Sequence, residues 1–247
     1  MKPTRFKVTV SYDGTAYFGW QVQPNAVTVQ ENIESVLESL TGTKIKVHGS
    51  GRTDQGVHAR AQVAHFDISD TKNISSLRIA MNALLPRDIR VMKAVKIDSA
   101  FHARKSAVGK EYRYFIINSQ VMPPAKRFYA THIRNSLDID AMRKAASILE
   151  GEHDFSAFTA NPGRYVESHV RNLSKFRILK HGSEITIKAY ANGFLFKMVR
   201  SLAGWLIKVG KGRASADETA RILLSKTRTS RVDTAPSEGL FLWRVDY

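Results

Sequence analysis

The stretch Thr28-Val29-Gln30-Glu31-Asn32-Ile33-Glu34-Ser35-Val36-Leu37-Glu38-Ser39-Leu40-Thr41-Gly42 decides how the first half of this 247-residue chain folds. Thr28 and Glu31 stand three apart as a capping box, in which the threonine hydroxyl takes an otherwise unbonded N–H of the first turn. Ile33, Val36, Leu37 and Leu40 recur at i, i+3, i+4 and i+7, one stripe of a helix, and Gly42 stops it. Before the helix, Arg5-Phe6-Lys7-Val8-Thr9-Val10 alternates with the period of a half-buried strand. After it come strand-like stretches at Lys44 to His48 and Ala61 to Ile68. A second helix then carries Leu77, Ala80, Met81 and Leu84 on one face, and a strand runs from Ile89 to Ile97. The order strand, helix, strand, strand, helix, strand predicts a split βαβ, or ferredoxin-like, unit.

The second half follows a related plan. Lys110 to Ile117 reads as a strand rich in aromatics, and Asp138 to Leu149 as a helix with Met142, Ala145, Ala146 and Leu149 inward. Strands are expected near Leu173 to Leu179 and Glu184 to Ala191. A strongly apolar helix from Phe194 to Val209 follows, with Gly210 just past its end. Ser215-Ala216-Asp217-Glu218 is another capping box, leading into a short helix through Leu224, and Leu240 to Tyr247 reads as a closing strand. The expected fold is α+β: two ferredoxin-like (split βαβ, RRM-like) halves with mainly antiparallel sheet, helices packed on one side and a cleft between the halves. The halves are expected at residues 1–104 and 105–247, joined near Phe101 to Gly109.

Charge narrows the partners. Lys and Arg total 38 against 22 acidic residues, a formal +16, and such an excess attracts phosphate backbones and releases their condensed counterions. The chain has no cysteine, which excludes disulfides, thiolate zinc sites and cysteine nucleophiles. Its eight histidines form no H-x-x-x-H or H-E-x-x-H pair, so no metal is expected. No stretch approaches the roughly eighteen apolar residues of a membrane span. Met1-Lys2-Pro3-Thr4-Arg5-Phe6 leads straight into a strand with no apolar leader, so the expected compartment is the cytoplasm.

One segment concentrates the residues that carry chemistry: His48-Gly49-Ser50-Gly51-Arg52-Thr53-Asp54-Gln55-Gly56-Val57-His58-Ala59. Its glycines allow unusual dihedrals and close approach of backbone to a ligand. An arginine two residues from a carboxylate favours the ionised form, which serves as nucleophile or general base. The same residues would also build a glycine-rich hairpin turn with an Asx-type hydrogen bond from Asp54.

Gly51-Arg52-Thr53-Asp54-x-Gly56-Val57-His58-Ala59 resembles the catalytic signature of TruA-type tRNA pseudouridine synthases. Seven further blocks resemble the same family, in family order and across nearly the whole chain. They are Tyr12-Asp13-Gly14-Thr15-x-Tyr17-x-Gly19-Trp20-Gln21, Asn82-x-Leu84-Leu85-Pro86-Arg87-Asp88-Ile89, Phe101-x-Ala103-Arg104 and Tyr112-Arg113-Tyr114. Asp154-Phe155-Ser156-x-Phe158, Phe196-x-Met198-Val199-Arg200 and Gly239-Leu240-x-Leu242 complete the set. The resemblance implies isomerisation of uridine to pseudouridine at tRNA positions 38, 39 and 40 in the anticodon arm, by a homodimer without cofactor. It places the catalytic carboxylate at Asp54 and, at Arg52, an arginine that helps hold the base out of its stack. It also places the stacking tyrosine at Tyr112 and an arginine paired with the carboxylate at Arg200. Gln55 departs from the small residue more usual in the family.

The residues have other readings. Tyr112, Tyr114 and Ile116 alternate as any strand face would, and Arg200 fits a rim arginine whose stem lies on apolar surface. Lys208 to Arg213 reads either as a solvated helix end or as a phosphate contact. The alternative function is a non-catalytic RNA-binding protein with two RRM-like halves, stacking bases on aromatic strands.

Overall fold

The computed structural model describes residues 3–69, 74–160 and 166–247. The N-terminal alternation becomes strand β1 (Thr4–Tyr12), with Phe6, Val8, Val10 and Tyr12 buried and the residues between them partly exposed. Burying each of these apolar side chains contributes about 1.5–3 kcal/mol. Helix α1 (Val29–Thr41) follows, and Thr28 caps it by accepting the Glu31 N–H at 3.3 Å. Gly42 ends it with φ +70°, a left-handed conformation that costs glycine least. Val29, Ile33, Val36 and Leu37 are buried, whereas Leu40, expected on the same stripe, is exposed in the last turn.

The first unit continues through β2 (His48–Gly49), β3 (His58–Ile68), α2 (Ile74–Leu84) and β4 (Ile89–Lys96). The second comprises β5 (Gly109–Asn118), β6 (Thr131–Ile133), α3 (Ile139–Leu149), β7 (Gly151–Asp154), β8 (Val170–Leu173), β9 (Lys175–His181), β10 (Glu184–Ala191), α4 (Met198–Gly210) and α5 (Ala216–Ser225). The last strand, β11 (Leu240–Asp246), returns to the first unit, so the compact units are Met1–Val108 with Phe241–Tyr247, and Gly109–Leu240. The architecture is mixed α+β with mainly antiparallel pairing.

In the first unit the strands run β4-β1-β3, with β2 and β11 both along β3. Phe6 faces Phe66 across β1 and β3, and Lys96 across β1 and β4, both antiparallel. β11 joins parallel, Phe241 beside His58 and Leu242 beside Ala59. In the second unit β5 lies beside β10 and β10 beside β9, all antiparallel. β6 adds to β5 in parallel, and β7 and β8 form a separate ribbon.

Four local expectations are corrected. Of the stretch expected as a strand, Lys44 to His48, only His48 pairs, together with Gly49 just beyond it; Ile45 and Val47 are buried without a ladder. Leu84 is exposed, and Leu85, whose N–H reaches the Met81 carbonyl, takes the buried place. The apolar helix starts at Met198, not Phe194, because Lys197 takes a left-handed φ of +55°. Its left-handed residue at the far end is Gly212 (φ +68°), while Gly210 is helical and abuts Met142, where a Cβ would lie 2.7 Å from Sδ.

Three imidazoles, His48, His65 and His102, cluster in the first unit with ring centroids 4.7–5.9 Å apart. His65 is buried, and its Nδ1 accepts the Ala103 N–H at 3.2 Å. Burial, then His102, Arg5 and His48, push its imidazole down to about 4, against a smaller opposing effect of Asp67. The fold therefore holds the neutral ring. That stabilisation is complete above the ordinary value of about 6.5, declines as pH falls toward about 4 and is lost below it. Urea midpoints are expected to fall across that window, and to fall less in His65→Asn, which keeps an acceptor without the titration.

Candidate active site

The loop between β2 and β3 is held by a second loop, residues 13–21. Glycines make their approach possible. A Cβ on Gly14 would lie 2.0 Å from the Val57 carbonyl oxygen, and one on Gly19 2.4 Å from that of Thr53. A Cβ on Gly49 would meet the Trp20 indole nitrogen at 2.6 Å. Backbone hydrogen bonds fill the contact: Trp20 N–H to Thr53 O at 3.1 Å, and Gly56 N–H to Tyr17 O at 3.3 Å.

Asp54 opens a β-turn, with the Val57 N–H on its carbonyl at 3.2 Å and Gly56 at φ +74°. The positive φ at the third turn position is why glycine stands there. Main-chain bonds on both sides fix the Asp54 Cα, and its side chain is partly exposed. Arg52 is exposed on the same loop. Gln55 is exposed as well, so the family departure changes no packed position.

Tyr112 and Arg200 belong to the second unit. Tyr112 stands on β5 opposite Ala189, is 8% exposed, and meets the Phe194 ring edge-on at 5.1 Å. Arg200 sits in the first turn of α4, partly exposed. Its Nε donates to the Ala235 carbonyl at 2.8 Å, and its own carbonyl accepts the Ala235 N–H at 3.0 Å. The expected rim position thus becomes a two-sided clamp on the segment at 235.

Several supporting residues were not singled out by sequence. The buried Tyr12 hydroxyl shares a hydrogen bond with Thr53 Oγ1 at 2.8 Å, and burial pushes that phenol upward. Ser50 Oγ donates to Gln62 Oε1 at 2.7 Å, and Gln62 Nε2 to the Gly51 carbonyl at 2.9 Å. His58, in the same glycine-rich segment, is fully buried; its Nδ1 accepts the Gly14 N–H at 3.0 Å and its ring stacks on Phe241 at 4.4 Å. Tyr17 donates to Asp88 Oδ1 at 2.7 Å, tying in the block that ends at Ile89. The available signal was co-occurrence: Tyr12, Gly14, Tyr17, Gly19 and Asp88 all lie in resemblance blocks and all brace one loop.

Among the described residues no group of three or more His, Cys, Asp or Glu could hold a metal ion. No helix is long and apolar enough to cross a membrane, again among the described residues.

Fold, braced loop and charge together describe a basic α+β protein that holds a partly exposed carboxylate on a hydrogen-bonded turn. The family model described as tRNA pseudouridine synthase matches residues 8–104 and 145–247, and the chain belongs to that family. A protein of Brevibacillus brevis named tRNA pseudouridine synthase A is 43% identical, over 98% of this chain and 99% of its own length. Proteins of the same name from Halalkalibacterium halodurans and a Thermoanaerobacter species are 44% and 45% identical, each over 97% of this chain and over 91% and 98% of their own lengths.

Proposed function

We propose that this chain isomerises uridine to pseudouridine in tRNA, with Asp54 as the carboxylate that engages an extruded nucleotide. The observation that carries the reading is the bracing of Asp54: a partly exposed acid on a turn whose backbone is hydrogen-bonded on both sides. Preorganisation of this kind lets a reacting group act without first being ordered.

The reaction breaks the C1′–N1 bond, turns the uracil and joins C5 to C1′; C5 gives up a proton and N1 gains one. No electron is gained or lost, so the transformation calls for no redox cofactor. A carboxylate can add to the ring, attack C1′ or remove a ribose proton. Arg52 holds the base out of its stack, Tyr112 covers it and Arg200 pairs with Asp54. The target sites are positions 38, 39 and 40 of the anticodon arm, and the working form is a cytoplasmic homodimer. The division of labour follows the two units, the first carrying Asp54 and Arg52, the second Tyr112 and Arg200. Both halves are ferredoxin-like; in support, the first orders its strands β4-β1-β3-β2, and the second has β5-β10-β9.

The test treats an unmodified tRNA transcript with purified protein and maps pseudouridine by carbodiimide-dependent reverse-transcription stops. Stops at positions 38 to 40 are expected. A protein that binds the transcript and leaves no stop anywhere is a binder, and the reading is then wrong. Removing the ring in Tyr112→Ala is expected to slow single-turnover conversion roughly tenfold, since stacking one base is worth about 1–3 kcal/mol. Tyr112→Phe keeps the ring and should stay within about twofold of the parent.

A further inference from the structure

The second unit carries a polar pocket of about 300 Å³ lined by His132, Ile133, Arg134, Asn135, Ser136, Lys211 and Arg213. We infer that it seats a phosphodiester of the tRNA, a contact separate from the residues that engage the reacting base; this rests on the proposed action on tRNA.

The pocket is built, not a chance spread of lysines. Asn118 holds one wall: its Nδ2 donates to the carbonyls of Ile133 and Asn135 at 2.9 and 2.7 Å, and its Oδ1 accepts the Leu137 N–H at 3.3 Å. The other wall is the end of α4. A helix C-terminus repels anions through its unbonded carbonyls. Here those carbonyls are taken up. Ile207 receives the Lys211 N–H, Lys208 that of Arg213, Val209 that of Gly212 and Gly210 that of Asp138, all at 2.8–3.0 Å. The Asp138 to Gly210 bond also joins the two walls.

Charge selects the ligand. Among the described residues no carboxylate lines the pocket. Asp138, the nearest in sequence, turns its Oδ1 to the Ala141 N–H as the cap of α3. Nearby cations are already matched, Lys208 with Asp233 at 2.9 Å and Arg231 with Glu218 at 2.5 Å. Arg134, Lys211 and Arg213 are exposed and make no ion pair among the described residues. His132 Nε2 lies 2.8 Å from the Ser119 carbonyl, which orients its ring as a donor there. Three cations converging on a small polar hollow match the charge and fork geometry of a phosphate.

The test measures filter binding of unmodified tRNA transcript by the full chain across a salt series. In Arg134→Ala/Lys211→Ala/Arg213→Ala, Kd is expected to rise about tenfold and the log–log salt slope to flatten by about one. The single reversal Lys211→Glu should move Kd the same way. The control Lys144→Ala/Lys175→Ala/Lys180→Ala removes equal charge from exposed positions of the same unit and should change Kd less than about twofold. A pocket variant that binds like the parent, or a control that loses as much, overturns the assignment. So does unchanged tRNA binding alongside calorimetric binding of inorganic phosphate that only the pocket variant loses, which would mark a free-anion site. Loss of tRNA affinity in the pocket variant while the parent makes no pseudouridine sinks the proposed function and leaves the pocket standing.

Discussion

Asp54→Ala is expected to lower single-turnover pseudouridine formation by at least roughly 10³-fold while the Kd for tRNA stays within about twofold. Removing the carboxylate takes away the group that meets the nucleotide in every version of the chemistry. The turn is closed by the main-chain bond from the Val57 N–H to the Asp54 carbonyl, and it is anchored by the bonds of Trp20 and Gly56 to the facing loop, all of which an alanine retains. Asp54→Asn keeps the shape and removes the charge, so it should be nearly as slow, and its melting temperature should stay within a few degrees of the parent. A variant that converts uridine at the parent rate would remove Asp54 from the reaction.

Gly19→Ala should weaken both stability and activity although it touches no reacting atom. Gly19 has φ +92°, and its Cβ would fall 2.4 Å from the Thr53 carbonyl oxygen and 3.1 Å from the Asp54 carbonyl carbon. The positive φ alone costs a non-glycine residue about 1 kcal/mol, and displacing backbone adds to it, so about 2–4 kcal/mol in all is expected from urea melts. The atoms that must give way belong to the loop that carries the acid. A misplacement of about 1 Å at a reacting group can cost roughly a hundredfold in rate, and that is the expected loss. Gly182→Ala is the comparator: φ is +56° but no atom lies within 4 Å of the added carbon, so it should cost about 1 kcal/mol and leave the rate unchanged. Equal rates in Gly19→Ala and parent would show that the loop tolerates the shift.

What could be read without coordinates divides by range. Strand β1, the caps at Thr28, Asp138 and Ser215, and the inward face of α3 all follow from neighbours within a turn or two. The start of α4 did not, because Phe194 and Leu195 continue an apolar run while the break comes from the backbone of Lys197. The short strands β6, β7 and β8 exist through partners remote in sequence and have no periodicity of their own. At the site, glycine, arginine and aspartate in one loop were conspicuous. Its bracing was not, since Tyr12 reaches Thr53 and Gly14 reaches His58 across some forty residues. Blocks of resemblance marked those positions without telling why glycine or tyrosine stood there; the would-be Cβ contacts supply the reason.

The parallel pairing of Phe241 and Leu242 with His58 and Ala59 sets an order of events in the cell. His58 stacks on Phe241, and the Tyr247 hydroxyl donates to the Ala103 carbonyl at 2.8 Å, so the first hundred residues wait for the last seven. The ribosome makes the whole second unit, Gly109–Leu240, before it makes the strand that pairs beside the end of the acid-bearing loop. A nascent polypeptide that has reached only Leu240 therefore carries every proposed catalytic side chain and lacks the strand that pairs with His58 and Ala59.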